Sequence, residues 1–196
     1  MSRIYFNLDL TLTEMDRSFD ECLGETLKEL GVPEKRIEPE RYSEIFFELF
    51  EDMKPEPRRK AFRKYFKENE IDESPDKASR IYREKELDAV TPVDGLSDVL
   101  EQLSNSIELG VVTAGTAELQ RKKLEKLGLE ELLDNVMITY EEGSSKKEIL
   151  EELDEEDVYI STSESDIEKA READVKSVKL DRSKPEKLLH KIEEIA

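Results

Sequence analysis

Five short apolar runs, each separated from the next by a helical pattern, constrain this 196-residue chain more than any other feature. The runs are 3–8 (Arg-Ile-Tyr-Phe-Asn-Leu), 107–113, 135–139, 158–160 and 175–180. Each is brief, rich in β-branched residues and followed by turn residues, as buried strands are. Between them, apolar residues recur at helical spacing: Leu96, Val99, Leu100 and Leu103; Leu119, Leu124 and Leu127, closed by Gly128; Ile149, Leu150 and Leu153; Ile167 and Ala170; Leu188, Leu189 and Ile192. Gly128 fits the left-handed position that ends many helices. Strands alternating with helices predict a doubly wound α/β fold with a parallel sheet and right-handed crossovers.

Residues 15–90 break the alternation and contain no convincing strand. Leu23, Leu27 and Leu30 mark one helix, ended by Gly31-Val-Pro33. Phe46, Phe47, Leu49 and Phe50 mark a second, Phe62, Tyr65 and Phe66 a third, and Ser74-Pro75 opens a fourth carrying Ile81 and Tyr82. The block holds nine of the chain's 13 aromatic residues, which suit a core of its own better than an aromatic substrate pocket. The expected division is an α/β core domain, 1–14 and 91–196, with an all-helical domain, 15–90, inserted after the first strand. Pro92-Val-Asp-Gly95 reads as the return to the core.

Composition narrows the function. A formal net charge of −19 repels nucleic-acid phosphates and anionic membranes, which argues against both as partners. The acidity suits solubility, a salt-rich cytosol or a basic protein partner. No apolar run approaches the roughly 20 residues needed to span a bilayer. Met1-Ser2-Arg3-Ile4 leads straight into a strand with no secretory signal ahead of it, and Cys22 has no second cysteine to pair with, so the expected compartment is the cytoplasm. Cys22 reads as a small buried hydrophobe, and the lone His190, in a terminal helix, as a surface or packing residue.

In open parallel sheets, ligands bind beyond the carboxyl ends of the strands. Polar residues gather after each predicted strand: Asn7-Leu-Asp-Leu-Thr11; Thr113-Ala-Gly-Thr116; Gly143-Ser-Ser-Lys-Lys147; and Ser161-Thr-Ser-Glu-Ser-Asp166. In this order and spacing they resemble the four motifs of the haloacid dehalogenase-like (HAD) phosphohydrolases, over nearly the whole chain. The first motif, Asp-x-Asp-x-Thr, falls on Asn7, Asp9 and Thr11. The second, a Ser or Thr ending the next strand, falls on Thr113. The third, a Lys opening a later helix, falls on Lys146 or Lys147. The fourth, an acidic cluster, falls on 161–166. The helical block stands where that family carries a cap.

The resemblance implies an aspartyl-phosphate mechanism. Position 7 is the nucleophile's, Asp9 the general acid and base, and Thr113 with a lysine holds the phosphoryl group. Phosphate-binding positions are Thr11, Thr113, Ala114, Gly115 and Lys146. It also implies Mg²⁺ held by the side chain at position 7, the backbone carbonyl of Asp9 and an acid of the fourth motif, Thr162 or Asp166. This chain departs from the pattern. Asn7 supplies no attacking carboxylate, Thr162 stands where the first fourth-motif acid belongs, and Leu10 replaces the usual Gly. Weak Mg²⁺ binding is therefore the expectation.

Three readings follow: an impaired phosphohydrolase that acts by binding a small phosphorylated molecule or by regulation; a working Mg²⁺-dependent phosphomonoesterase; and a non-catalytic protein-interaction module. The sequence leaves the substrate and the oligomeric state open.

Overall fold

The computed structural model describes residues 3–51 and 53–195. The chain divides into two compact units: residues up to Glu14 together with those from Thr91 onward, and Met15–Val90.

The first unit begins with β1 (Ile4–Phe6) and a five-residue turn, Leu8–Leu12, and leads into β2 (Thr13–Met15). The second unit contains α1 (Phe19–Glu29), α2 (Pro39–Glu51), α3 (Pro57–Glu68) and α4 (Pro75–Ala89), after which β3 (Val90–Pro92) follows. The chain then runs through α5 (Leu96–Ser104), β4 (Leu109–Thr113), α6 (Ala117–Leu127), β5 (Asn135–Ile138), α7 (Thr139–Glu142), α8 (Lys146–Glu151), β6 (Val158–Ser161), α9 (Glu164–Glu172), β7 (Lys176–Lys179) and α10 (Lys187–Ile195).

Five strands form one sheet in the order β5-β4-β1-β6-β7, and every pair is parallel. This is the expected doubly wound α/β fold with an all-helical insertion. The connecting segments β2 and β3, which the sequence reading missed, pair as a separate two-stranded sheet. They are three residues each and carry no alternation long enough to read.

Period-two alternation assigns the two faces of the main sheet. Ile4, Phe6, Val111, Val158 and Ile160 turn to one face, where Leu96, Leu100, Leu188 and Ile192 cover them. Tyr5, Val112 and Tyr159 turn to the other, against Ile149, Leu150 and Ala170. Helices on both faces leave the strand ends as the accessible part of the sheet. The connection after β1 leads to β4 on one side and that after β6 leads to β7 on the other. The strand order therefore reverses beside β1, the crevice where such folds place ligands.

The helical unit has its own core of Cys22, Leu23, Leu27, Tyr42, Ile45, Phe62, Tyr65, Phe66, Ile81 and Tyr82. Phe47 departs from the expected apolar stripe of α2, being 56% exposed. Among the described residues, no helix is long and apolar enough to cross a membrane.

A buried carboxylate fixes β1 against β6. Asp157, fully buried, accepts from the backbone N–H of Arg3 (2.9 Å), from Arg3 Nη2 (2.9 Å) and from the backbone N–H of Asp154 (3.1 Å), while Val158 N–H donates to Arg3 O (2.9 Å). Asp157→Ala strands two backbone N–H groups and leaves the Arg3 guanidinium only its exposed partner Asp154, so it should cost about 2–4 kcal/mol. Urea unfolding of the variant beside the parent checks this.

Candidate functional site

The turn after β1 builds the centre of the site. Its chain reverses through Leu10 in the left-handed region (φ 59°), where a Cβ is disfavoured. The fold compensates at three points: Leu10 N–H donates to Thr13 Oγ1 (3.0 Å), Thr162 Oγ1 donates to Leu10 O (2.9 Å), and Thr162 N–H donates to Thr11 Oγ1 (3.2 Å). Thr162, which stands at an expected metal position, thus works as a strap between the ends of β1 and β6.

Asn7, 6% exposed, follows β1. Its Nδ2 donates to the backbone carbonyl of Asp9 (2.7 Å) and more weakly to Thr11 Oγ1 (3.3 Å). Its Oδ1 accepts from Lys146 Nζ (3.0 Å), and the same ammonium donates to Asp166 Oδ2 (2.8 Å). Ser161 Oγ (3.2 Å) and Tyr159 Oη (3.4 Å) donate to that carboxylate oxygen as well. Burial and the neighbouring Asp166 carboxylate push the Tyr159 hydroxyl well above its ordinary value, so it remains a donor. Burial lowers the Lys146 ammonium against the upward pull of Asp166.

Of the two candidate lysines, the structure brings Lys146 into this network. Lys147 instead pairs at the surface with Glu172 (2.9 Å). Lys146 opens α8, which Ser145 caps through a reciprocal capping box with Glu148.

Thr113, fully buried at the end of β4, accepts from Gln120 Nε2 (3.1 Å). That amide nitrogen also lies 2.7 Å from Asp9 Oδ2 and 2.7 Å from the carbonyl of Ala114. Three acceptors around one nitrogen fix the orientation of the amide, because a flip would set Oε1 against the Asp9 carboxylate. Gln120 Oε1 is buried without a hydrogen-bond partner among the described residues. Gly115, at φ 150°, leaves room for this side chain; a Cβ there would stand 2.8 Å from Gln120 Nε2. Its N–H donates to Thr139 Oγ1 (3.2 Å). Thr116 begins α6 without a side-chain cap bond.

Lys123, one turn beyond Gln120 on α6, is 1% exposed, and its Nζ meets Asp9 Oδ1 at 2.7 Å. Burial raises the Asp9 carboxyl, but Lys123, Gln120 and Lys146 outweigh it and hold the group below the ordinary carboxylate range. Sequence reasoning missed Gln120 and Lys123. The available signal was positional: both fall on the apolar stripe of α6 beside Leu119 and Leu124, where a polar side chain needs a buried partner. Outside the cluster, His190 is exposed and Cys22 is buried, its thiol raised by burial.

The three groups that the HAD pattern assigns to Mg²⁺ each accept a hydrogen bond from the chain: Asn7 Oδ1 and Asp166 from Lys146, and Asp9 O from Asn7. One of the two side chains is neutral, and the other is held in an ion pair. This donor set fits a hard divalent cation poorly. Among the described residues, no group of three or more His, Cys, Asp or Glu is arranged to hold a metal ion.

A parallel α/β sheet whose polar strand-end residues meet at the reversal of strand order defines a class of ligand-binding and hydrolytic domains. The profile of the haloacid dehalogenase-like hydrolases matches residues 4–180, and the chain belongs to that family. No curated protein matches it. Among solved structures, the HAD-hydrolase YfnB from Bacillus subtilis, determined bound to magnesium, is 19% identical with a TM-score of 0.68, covering 91% of this chain and 86% of its own. A Thermotoga maritima protein described as a β-phosphoglucomutase is 18% identical with a TM-score of 0.68, and all of both chains is covered. The L-2-haloacid dehalogenase from Xanthobacter autotrophicus is 13% identical with a TM-score of 0.67, covering 92% of this chain and 78% of its own. At these identities the likeness is one of fold.

The Asp9 ion pair sets a pH dependence. A carboxyl lowered by folding contributes stability that is present above its unfolded value, near 4, and is lost as pH falls through the lower folded value. The stability gap between the parent and Asp9→Asn should therefore be widest near neutrality and shrink below about pH 4. Thermal unfolding of both proteins from pH 7 down to pH 3 measures it.

Proposed function

We propose that this protein binds a small phosphorylated molecule at the strand-end site and has little or no phosphohydrolase activity, acting by binding or regulation. The observation that carries the reading is the double engagement of Asn7. Its oxygen accepts from Lys146 and its nitrogen donates to Asp9 O, so the amide is locked between two partners. A neutral amide oxygen already accepting from an ammonium has little electron density to offer phosphorus, and loss of a nucleophile costs other enzymes up to about 10⁶ in rate. Asp9, ion-paired to Lys123, is poorly suited to donate a proton to a leaving group.

Charge balance supports the binding role. Asp9 and Asp166 carry two negative charges, and Lys123 and Lys146 carry two positive ones. A phosphate approaching this cluster meets no net negative charge. A carboxylate at position 7 would add one, which in the HAD pattern Mg²⁺ offsets. In the proposed arrangement Lys146 donates to a phosphoryl oxygen, Thr113, fully buried, holds the Gln120 amide instead, Thr11 stays with the strap to Thr162, and Mg²⁺ contributes little.

Isothermal titration with inorganic phosphate, together with an assay on a generic phosphate ester with and without Mg²⁺, tests the reading. Binding without turnover is expected; metal-dependent turnover overturns it. The Asn7→Asp and Thr162→Asp variants probe the same point. In Asn7→Asp, the 2.7 Å contact with Asp9 O becomes a repulsion between two oxygens. That variant should melt below the parent without Mg²⁺ and rise with added Mg²⁺, while the parent stays flat. Hydrolysis should become detectable in Asn7→Asp and grow more than additively in the double variant, because nucleophile and metal act on one phosphorus.

A further inference from the structure

We propose that Lys123 and Gln120 turn Asp9 into a fixed hydrogen-bond acceptor. The site would then select an oxyanion that carries its own O–H: hydrogen phosphate, or a phosphate ester whose hydroxyl lies beside the phosphoryl group. This deepens the anion-binding reading and rests on it.

The geometry gives each carboxylate oxygen of Asp9 one donor from the chain, Lys123 Nζ on Oδ1 and Gln120 Nε2 on Oδ2, both at 2.7 Å. Two anchors at different oxygens fix the plane of the carboxylate as well as its charge. Lys123 lies behind it with a side chain 2% exposed, whereas the Asp9 side chain is 32% exposed. The carboxylate therefore presents an open edge while its cation stays out of a ligand's reach. A carboxylate oxygen accepts more than one hydrogen bond, so lone pairs remain on that edge.

A ligand oxygen without hydrogen would set lone pair against lone pair at this edge, whereas an O–H would form a charge-assisted bond. The rest of the site supplies the opposite polarity. Lys146 directs two of its three N–H groups to Asn7 and Asp166, and the third can reach a ligand oxygen. An anion that combines bare oxygens with one O–H matches this mixture. Lys123 and Gln120 act through Asp9 and are positioning residues.

Three probes of equal charge separate the effect from simple electrostatics. At pH 8, hydrogen phosphate, methyl phosphate and sulfate are all dianions, and of these hydrogen phosphate alone carries a proton, since the second dissociation of a monoester lies near 6. Calorimetric titration of the full chain at low ionic strength, without metal, should find phosphate at least about tenfold tighter than the other two, the scale of one charge-assisted hydrogen bond. Asp9→Asn should close that gap, because an amide can turn an N–H toward a bare oxygen. Gln120→Leu should narrow it, and Lys123→Arg, which keeps the ion pair, should preserve it. Equal binding of the three anions by the parent, or a gap that survives Asp9→Asn, overturns this inference and leaves the anion-binding reading standing. Failure of all three to bind overturns that reading instead.

Discussion

The structure depends on the placement of β1 between two parallel partners. Ile4, Tyr5 and Phe6 pair with Leu109, Gly110 and Val111 on one edge and with Val158, Tyr159 and Ile160 on the other. A three-residue strand is marginal alone, but pairing on both edges satisfies its backbone and burying both faces stabilises it. The registers then set which polar residues meet. Asn7 N–H donates to Ile160 O at 2.8 Å, so the first residue past β1 stands beside the end of β6. Thr113 and Thr162 follow from the same two ladders. Close packing keeps those ladders together: a Cβ at Gly110 would stand 2.5 Å from the Tyr5 ring.

On this frame the chemistry is a question of charge. Asp9 and Asp166 are each held by a largely buried lysine, with side-chain exposures of 2% for Lys123 and 10% for Lys146. Burying such ions is unfavourable unless each is paired and hydrogen-bonded, and each carboxylate here gains neutral donors as well. Gln120 serves Asp9, and Ser161 and Tyr159 serve Asp166. Family membership implies a metal-assisted site, yet the local electrostatics have closed around two lysines. These facts agree if Asn7 and the ammonium of Lys146 together meet the need that a carboxylate and a cation would otherwise share.

Much of the fold was legible because the signals were redundant. The five apolar runs fall on β1, β4, β5, β6 and β7, each supported by its β-branched content, the helical stripe beside it and the turn residues after it. The four helices of the inserted unit had the same support from their aromatics and prolines. The strands β2 and β3 were not legible, since a three-residue pairing between connecting segments leaves no periodicity. Asn7, Asp9, Thr113, Lys146 and Asp166, which the structure brings together, could be picked out as candidates because each lies just past a strand or in the first turn of a helix. Lys146 could not be separated from Lys147, because adjacent positions at a helix start differ only in direction, which depends on where Asp166 stands. Gln120 and Lys123 went unnoticed because Lys123 neighbours other charged residues in a lysine-rich helix. Only its place on the buried stripe sets it apart from Lys122 and Lys126.

The same contacts explain why Asp9, Thr11, Thr162 and Asp166 can be kept whether or not the site turns over a substrate. Asp166 is the common acceptor for Lys146, Ser161 and Tyr159, so its removal would strand an ammonium and two hydroxyls near the end of β6. Thr11 and Thr162 carry the strap that holds the left-handed Leu10 turn. Asp9 neutralises Lys123, which sits in the α6 interface with little access to water. Each of these residues has a structural task that does not require hydrolysis. Their presence is therefore weak evidence for turnover. The residue whose chemistry bears on turnover most directly is Asn7, whose amide donates to the Asp9 carbonyl, which a carboxylate at that position would repel.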